Sequence, residues 1–159
     1  MPFSRSESTP PSPEPYVHPV NRPIVAEFHA NHGRVGGPFA GADLLLLTTI
    51  GARSGHPATS PLAYFRDRDR LLVVGSASGS PRHPAWCHNL RAHPVADVEI
   101  ADRTLAVRSV ITEGAERDAL FSMITALAPG YADYQSRVER RIPVVALVPA
   151  EDEDADDRP

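Results

Sequence analysis

The chain has one cysteine, no lysine and no long apolar run. The single cysteine, Cys87, excludes an intramolecular disulfide framework and is typical of a reducing compartment, so we expect a cytoplasmic protein. No uninterrupted apolar run, such as residues 44–47, is long enough to cross a bilayer. Residues 1–20 also lack the apolar core of a secretory signal. These absences predict a protein without an integral membrane segment and leave peripheral contact with a membrane open.

Excess charge is confined to one end of the chain. The 159 residues carry a net charge of −4, and residues 151–159 alone contribute six acidic side chains and one arginine. Because that segment carries −5, residues 1–150 are close to neutral at about +1. The body lacks the basic charge that is typical of nucleic-acid-binding domains, so we expect no nucleic-acid partner. Every basic residue other than histidine is arginine, a composition that indicates a GC-rich genome.

Composition and length favour one folded domain between two disordered tails. The 159 residues are 42% apolar and 23% charged, which is enough for one hydrophobic core. Residues 1–20 are rich in Ser, Pro and Glu, and residues 151–159 repel one another through their carboxylates. Both segments are therefore predicted to be disordered. The predicted domain spans residues 21–150.

Short β-type runs separated by turns predominate in that domain. They predict six strands, at residues 43–50, 59–65, 70–75, 95–100, 104–111 and 142–148. Helical periodicity predicts three helices, from residue 22 to Gly33 and at residues 85–92 and 115–127. Because hairpins join most strands and helices do not alternate regularly with them, the pattern favours an α+β fold with a mostly antiparallel, barrel-like sheet.

The segment between the first two predicted strands, residues 51–57, has the composition of an anion cradle. Gly51 and Gly55 allow backbone N–H groups to converge. Ser54 adds a hydroxyl, and Arg53 adds a planar, charged donor. The segment is not a P-loop, because no lysine follows and the next element is a predicted strand. An ordinary turn with an exposed arginine is the alternative.

A second segment, residues 76–82, combines small hydroxylic residues, a glycine and an arginine. Ser76, Ser78 and Gly79 could approach a phosphate closely, and Arg82 could pair with it. The only tryptophan, Trp86, follows and could supply a flat aromatic wall beside the phosphate. The alternative is a turn that leads into a helix whose tryptophan belongs to the core.

Histidines near the only cysteine raise the question of a metal. The spacing of His83, Cys87, His88 and His93 matches no standard structural zinc pattern, and a second cysteine is lacking. Cys87 and His88 are neighbours on a predicted helix, and such neighbours do not face each other. We therefore expect neither a metal site nor a thiol nucleophile.

Two tyrosines, Tyr131 and Tyr134, lie in a segment predicted to be a loop before the last strand. A phenol that projects over a groove can donate a hydrogen bond or a proton to a bound substrate. Both tyrosines are therefore candidate catalytic residues. The alternative is that their rings cover the sheet while their hydroxyls lie in water.

Taken in order, these segments resemble the deazaflavin-dependent nitroreductase family. The matching stretches are LLLTTIGARSG at 45–55, TSPL at 59–62, HPAWCHNL at 83–90, YADYQ at 131–135 and RIPVV at 141–145. The resemblance covers about residues 21–148. It implies a split β-barrel like that of small FMN-binding reductases. The cofactor it implies is coenzyme F420, an 8-hydroxy-5-deazaflavin with a phosphate-linked polyglutamate tail.

The resemblance also implies roles for individual residues. The tail phosphate would lie on the two loops, and the ring system would lie near Trp86 and Asn89. The implied cofactor contacts are Arg53, Ser54, Gly55, Thr59, Pro61, Ser76, Ser78, Gly79, Arg82, Trp86 and Asn89. Tyr131, with Tyr134 as the weaker candidate, would orient the acceptor or protonate the reduced product.

The implied activity is hydride transfer from carbon 5 of reduced F420 to an electron-poor acceptor: a quinone, an activated alkene or a nitroaromatic. Ala58 and Ala77 stand where the family often has a cation, and Cys87 stands where it commonly has tyrosine. The alternatives are a non-catalytic carrier of a deazaflavin, flavin or haem, and an FMN- or FAD-dependent reductase on the same barrel. The sequence leaves a homodimer open.

Overall fold

The structure is a computed structural model that describes residues 14–150. Its strands are β1 (Tyr16–Val17), β2 (Leu44–Ile50), β3 (Pro57–Ala63), β4 (Phe65–Asp67), β5 (Arg70–Val74), β6 (Val95–Ile100), β7 (Arg103–Ile111) and β8 (Val144–Pro149). Its α-helices are α1 (Arg22–Ala30), α2 (Ala85–Ala92), α3 (Gly114–Leu127) and α4 (Gly130–Ser136). No helix of this described part is both long and apolar enough to span a bilayer. Residues 1–13 of the predicted N-terminal tail, which spans residues 1–20, and the whole predicted tail at 151–159 lie outside the described residues.

The eight strands belong to one sheet in the order β1-β3-β2-β6-β7-β8-β5-β4. Paired neighbours run antiparallel except β1 and β3, which are parallel. Because β3 also contacts β5, the sheet curls round an interior. The predicted α+β fold with a mostly antiparallel, barrel-like sheet is confirmed. All six predicted strands are present, with ends that differ by no more than two residues.

Two short strands are absent from the sequence prediction. Tyr16 and Val17 fall in the predicted N-terminal tail, but their backbone pairs with β3. Edge pairing uses backbone groups and needs no run of apolar side chains, so composition does not reveal it. β4 arises because the predicted strand at 59–65 breaks at Tyr64, whose N–H donates to the Asp43 carbonyl at 3.0 Å. The ring of Tyr64 is buried in the interior.

The leucine run of β2 is buried on both faces of the sheet. Leu45 and Leu47 point into the barrel interior, whereas Leu44 and Leu46 pack under α1 with Phe28. Alternate side chains of a strand point to opposite faces, which explains this division. A fully buried leucine contributes about 1.5–3 kcal/mol to stability, so this strand anchors the fold.

The outer face of β5 and β8 is covered by α3 and α4. Leu72, Val144 and Ala146 form a buried cluster there with Ile124 of α3, and Tyr131 of α4 packs against it. The segment that forms α4 was predicted to be a loop, and this prediction is wrong. Pro129 precedes the helix with helix-compatible angles, and a proline can begin a helix as readily as it can end one.

The connecting loops gather at two ends of the barrel. The register places Ile50 opposite Pro57, Val74 opposite Val144 and Ile111 opposite Val145. The ends of β2, β5 and β7 and the start of β8 therefore lie together, at what we call the upper end. α2 covers this end and buries Trp86, Cys87 and Leu90 in the interior. Both predicted anion loops thus lie at one end of the barrel.

Candidate functional site

The first loop, residues 51–56, is held by bonds within itself. The N–H of Gly51 donates to the His56 carbonyl at 2.8 Å, and the N–H of Gly55 donates to the Gly51 carbonyl at 3.0 Å. The Ser54 hydroxyl accepts from the His56 N–H at 3.1 Å. A side chain at Gly51 would collide with that hydroxyl, and Gly55 has a φ of +73°, so both glycines are required. Arg53 is exposed and has no ion pair within residues 14–150.

Asn89 ties this loop to α2. Its Oδ1 accepts from the Ala52 N–H at 2.9 Å, and its Nδ2 donates to Thr49 Oγ1 at 3.0 Å. The residue is only 8% exposed. The Asn89 amide therefore bonds to the protein itself, and these bonds position the first loop.

A groove of about 760 Å³ runs between the first loop and the outer side of α2. It is lined by Gly51, Ala52, Arg53, Ser54, Ala85, His88, Asn89, Arg91 and Ala92. None of these lining residues is acidic, and Arg53 and Arg91 bring permanent positive charge. The groove is therefore suited to an anionic ligand.

The second loop, residues 75–80, has an uncommon backbone. Ala77, Ser78 and Gly79 have φ values of +47°, +53° and +83°, so two residues with a β-carbon adopt the left-handed conformation. Such conformations persist only when surrounding contacts impose them. One contact is Tyr134, whose ring would lie 3.3 Å from a β-carbon placed on Gly79.

Arg140 holds the other side of the second loop, and sequence reasoning missed it. Its Nε donates to the Ser80 carbonyl at 3.0 Å, and Nη1 and Nη2 donate to the carbonyls of Gly75 and Ser76 at 3.0 and 2.9 Å. Nη1 also donates to Nδ1 of His83 at 2.8 Å. Burial, reinforced by the charge of Arg140, lowers the pKa of His83 and favours the neutral imidazole that can accept this bond. The only sequence signal was its place directly before the RIPVV stretch.

Ser76 is the buried serine of the second loop. The residue is 8% exposed, and its hydroxyl makes no hydrogen bond to any residue of the described part. A buried unpaired polar group costs about 1–3 kcal/mol, so such groups generally meet water or a ligand. The Ser76 hydroxyl is therefore left for water or a ligand.

The two loops are connected along α2. The ring of His83, bound to Arg140, lies 6.0 Å from the ring of His88, which lines the groove. Arg82 is exposed in the connection, where its N–H donates to the Ser80 hydroxyl at 3.2 Å. The structure thus gathers most of the predicted phosphate contacts at the upper end, namely Arg53, Ser54, Gly55, Ser76, Ser78, Gly79 and Arg82.

Other predicted residues lie elsewhere. Trp86 is 6% exposed and packs in the barrel core, so the predicted aromatic wall is not open to a ligand. Thr59 and Pro61 of β3 lie opposite Thr48 and Leu46 of β2, on the same face of the sheet, and the Thr59 hydroxyl lies 2.6 Å from that of Thr48. That face packs towards α1, away from the barrel interior.

Cys87 is enclosed in the barrel core. Burial raises the pKa of its thiol to about 12, so the group stays protonated at neutral pH. A side chain at Gly75 would collide with this thiol and with Pro143. The residue therefore acts as a packing group under the second loop.

The two candidate tyrosines share α4. Tyr131 packs edge-on against Phe65 and against Tyr134, with ring centroids 6.0 Å apart in each pair. Burial raises the pKa of Tyr131, so its phenol keeps its proton at neutral pH. Tyr134 also contacts the second loop through Gly79. The tyrosine that the sequence ranks second is therefore the one in contact with that loop.

The family of the chain follows from comparison with known proteins. A family model described as F420H(2)-dependent quinone reductase matches residues 20–149. The chain belongs to this family. The protein is therefore an oxidoreductase that uses coenzyme F420, as the resemblance implied. Family membership favours this enzyme over the non-catalytic carrier and the FMN- or FAD-dependent reductase.

Individual relatives agree with the assignment. An F420H(2)-dependent quinone reductase of Mycobacterium tuberculosis is 37% identical over 126 residues, which are 77% of this chain and 85% of that protein. The structure of an F420-H2 dependent reductase is 33% identical with a TM-score of 0.60, covering 66% of this chain and 93% of that one. A structure described as a domain-swapped dimer is 29% identical with a TM-score of 0.62, covering 80% of this chain and 96% of that one.

Proposed function

We propose that the upper end of the barrel binds reduced coenzyme F420 and that the protein passes its hydride to a quinone. The observation that carries this proposal is a cationic groove at the same end of the barrel as Ser76, a buried serine whose hydroxyl lacks a partner within residues 14–150. Both features suit the anionic, phosphate-containing tail of the family's cofactor. The family's description supports a quinone as the acceptor.

The two loops would hold the phosphate from opposite sides. Arg53 has its guanidinium free of ion pairs with the described residues, so its N–H donors are available to an anion. Ser54 lies next to it in the groove. Ser76 and Ser78 would donate hydroxyl hydrogen bonds from the second loop.

The polyglutamate tail would extend along α2. Ala58 and Ala77 remove two cations that the family often has, which leaves fewer charges near the phosphate. His88 and Arg91 lie on the outer side of α2 and line the groove. We assign both to the carboxylates of the tail: Arg91 complements their charge, and the imidazole of His88 can donate a hydrogen bond to them.

A proton must accompany the hydride. When bound, reduced F420 supplies the hydride, and a quinone becomes a hydroquinone only when it also gains one proton. Tyr134 and Tyr131 are the candidate donors. Burial holds the Tyr131 phenol in its protonated form, and Tyr134 contacts the second loop. A phenol so placed can orient the acceptor oxygen and protonate it.

A titration followed by a turnover assay tests the proposal. Binding of oxidised F420 should quench the fluorescence of the protein or of the cofactor. FMN and FAD, titrated at the same concentrations, should bind more weakly. Adding a quinone to the reduced complex should restore the absorbance of oxidised F420. Binding without turnover would support a carrier, and tighter FMN binding would support a flavin enzyme.

Assembly and location are part of the same proposal. The domain-swapped dimer among the structural neighbours supports a homodimer. Light scattering after size exclusion would show a mass near twice 17.2 kDa if this is correct and near 17.2 kDa if it is not. We also propose a cytoplasmic location, for which the single cysteine is the support, and cell fractionation would test it.

A further inference from the structure

One guanidinium group makes four hydrogen bonds around the second loop. Arg140 donates to the carbonyls of Gly75, Ser76 and Ser80 and to Nδ1 of His83, at distances between 2.8 and 3.0 Å. An arginine has five N–H donors in a planar fork, so nearly all of its donor capacity is used on the protein. Little remains for direct contact with a ligand.

We propose that Arg140 is a positioning residue for F420 binding: it holds the second loop in its ligand-binding shape without touching the cofactor. The inference rests on the proposed function, because that loop is assigned to the phosphate. Arg140 itself lies between the loop and His83, and it is half-buried.

The backbone of the loop explains why it needs such support. Ala77 and Ser78 adopt positive φ values that residues with a β-carbon rarely adopt. Only two bonds within the loop oppose a change: the Gly79 N–H donates to the Ser76 carbonyl at 2.9 Å, and the Ser80 N–H donates to the Ala77 carbonyl at 3.0 Å. Arg140 binds the carbonyls on both sides of the strained residues, which prevents the loop from relaxing.

The same contacts place the ligand-facing groups. Nη2 of Arg140 binds the carbonyl of Ser76, the residue whose buried hydroxyl has no partner in the described chain. Nη1 orients His83, which lies against His88 at the groove. Loss of the Arg140 guanidinium would therefore displace the second loop relative to the groove.

Substitution by lysine separates positioning from charge. Arg140→Lys keeps the positive charge but cannot reach three carbonyls in fixed directions. We expect Arg140→Lys and Arg140→Gln each to raise the Kd for F420 by about tenfold or more, as small displacements at a binding site commonly do. The turnover rate at saturating reduced F420 should stay near that of the unmodified protein. Arg141→Lys is the matched control, because Arg141 is exposed and pairs with Asp118.

Two further measurements distinguish this role from a general structural one. The slope of log Kd against log salt concentration should stay unchanged in both variants, because Arg140 does not contact the anion. Amide hydrogen exchange should accelerate at residues 75–80 and stay slow in the core strands β5 and β8. Restored affinity in Arg140→Lys, or a reduced salt slope, would overturn the proposal and assign Arg140 to direct cofactor contact.

Arg53→Ala serves as the reference for the proposed function. If Arg53→Ala weakens F420 binding and neither Arg140 variant does, the positioning role is wrong and the cofactor site stands. If neither substitution changes the Kd, the cofactor site itself is wrong. If Arg140→Gln does not fold, Arg140→Lys decides between these outcomes, with its melting temperature as the check on folding.

Discussion

The two loops at the upper end bind the same kind of ligand in our proposal, but they are shaped by different means. Residues 51–56 close on their own backbone, with Gly51 and Gly55 at the positions that need them. Residues 75–80 depend on Arg140, which lies 60 residues further along the chain from Ser80. A locally encoded loop can be recognised from its own residues, whereas a loop held from a distance cannot.

The largest effect is expected on turnover, beside the second loop. Tyr134→Phe and Tyr131→Phe each remove a proton donor and keep the ring, so kcat with a quinone should fall by about ten- to a thousandfold. We expect the larger loss in Tyr134→Phe, because Tyr134 contacts Gly79. The Kd for F420 and the melting temperature should barely change, and both are measured as controls. Full turnover in both variants would mean that water supplies the proton.

The next effect is expected on affinity, at the first loop. Arg53→Ala should raise the Kd for F420 by about tenfold or more at low salt, because a charge-assisted contact with the phosphate is lost. The loss should be smaller at high salt, where screening already weakens the contact. Arg103→Ala removes the same charge from the opposite end of the barrel and should leave the Kd unchanged. Equal changes in both variants would indicate a long-range charge effect.

A smaller effect is expected on stability, where the first loop meets α2. Asn89→Ala leaves the Ala52 N–H and the Thr49 hydroxyl without this partner, and should lower the free energy of unfolding by about 1–3 kcal/mol. His88→Ala, on the exposed side of the same helix, should change it by no more than about 0.5 kcal/mol. Urea unfolding measures both variants. If the two variants are equally stable, the Asn89 bonds do not hold the loop.

The smallest effect is expected on the pH dependence of stability, at the second loop. Burial, with the charges of Arg140, His88 and Arg91, lowers the pKa of His83 from its ordinary value near 6.5. The unfolded chain then binds the proton more readily, so His83 reduces the free energy of unfolding as pH falls below about 6.5. His83→Asn lacks this titration, so its stability should fall less between about pH 7.5 and pH 5.5. An equal or steeper fall would contradict the assignment.

The prediction of the fold succeeded where side-chain patterns are periodic. The strand β2 and the helices α2 and α3 lie where the sequence placed them, to within one residue. The sequence prediction missed β1, because the pairing of β1 with β3 involves backbone groups alone. α4 was missed because a proline precedes it and a glycine is its first residue, and these residues indicate turns as often as helix starts.

The structure brings together most of the loop residues that the sequence named, and their role in binding stays a prediction. The glycines, serines and arginines that the sequence named in residues 51–57 and 76–82 do gather at one end of the barrel. Trp86 belongs to the core, because its helix turns that face into the interior. Asn89 supports the first loop through two hydrogen bonds that sequence spacing does not reveal.

The sequence by itself determined six of the strands and three of the α-helices, the family and the chemical character of the two loops, since these depend on local residue order. Only the tertiary structure decided that Arg140 would shape the second loop and that Tyr134 would lie against it. The physical reason is directionality. Hydrophobic periodicity can be read from the order of residues along the chain. The bonds from one guanidinium to three carbonyls need fixed relative positions of Arg140 and the second loop, and these are set only when β5 and β8 pair.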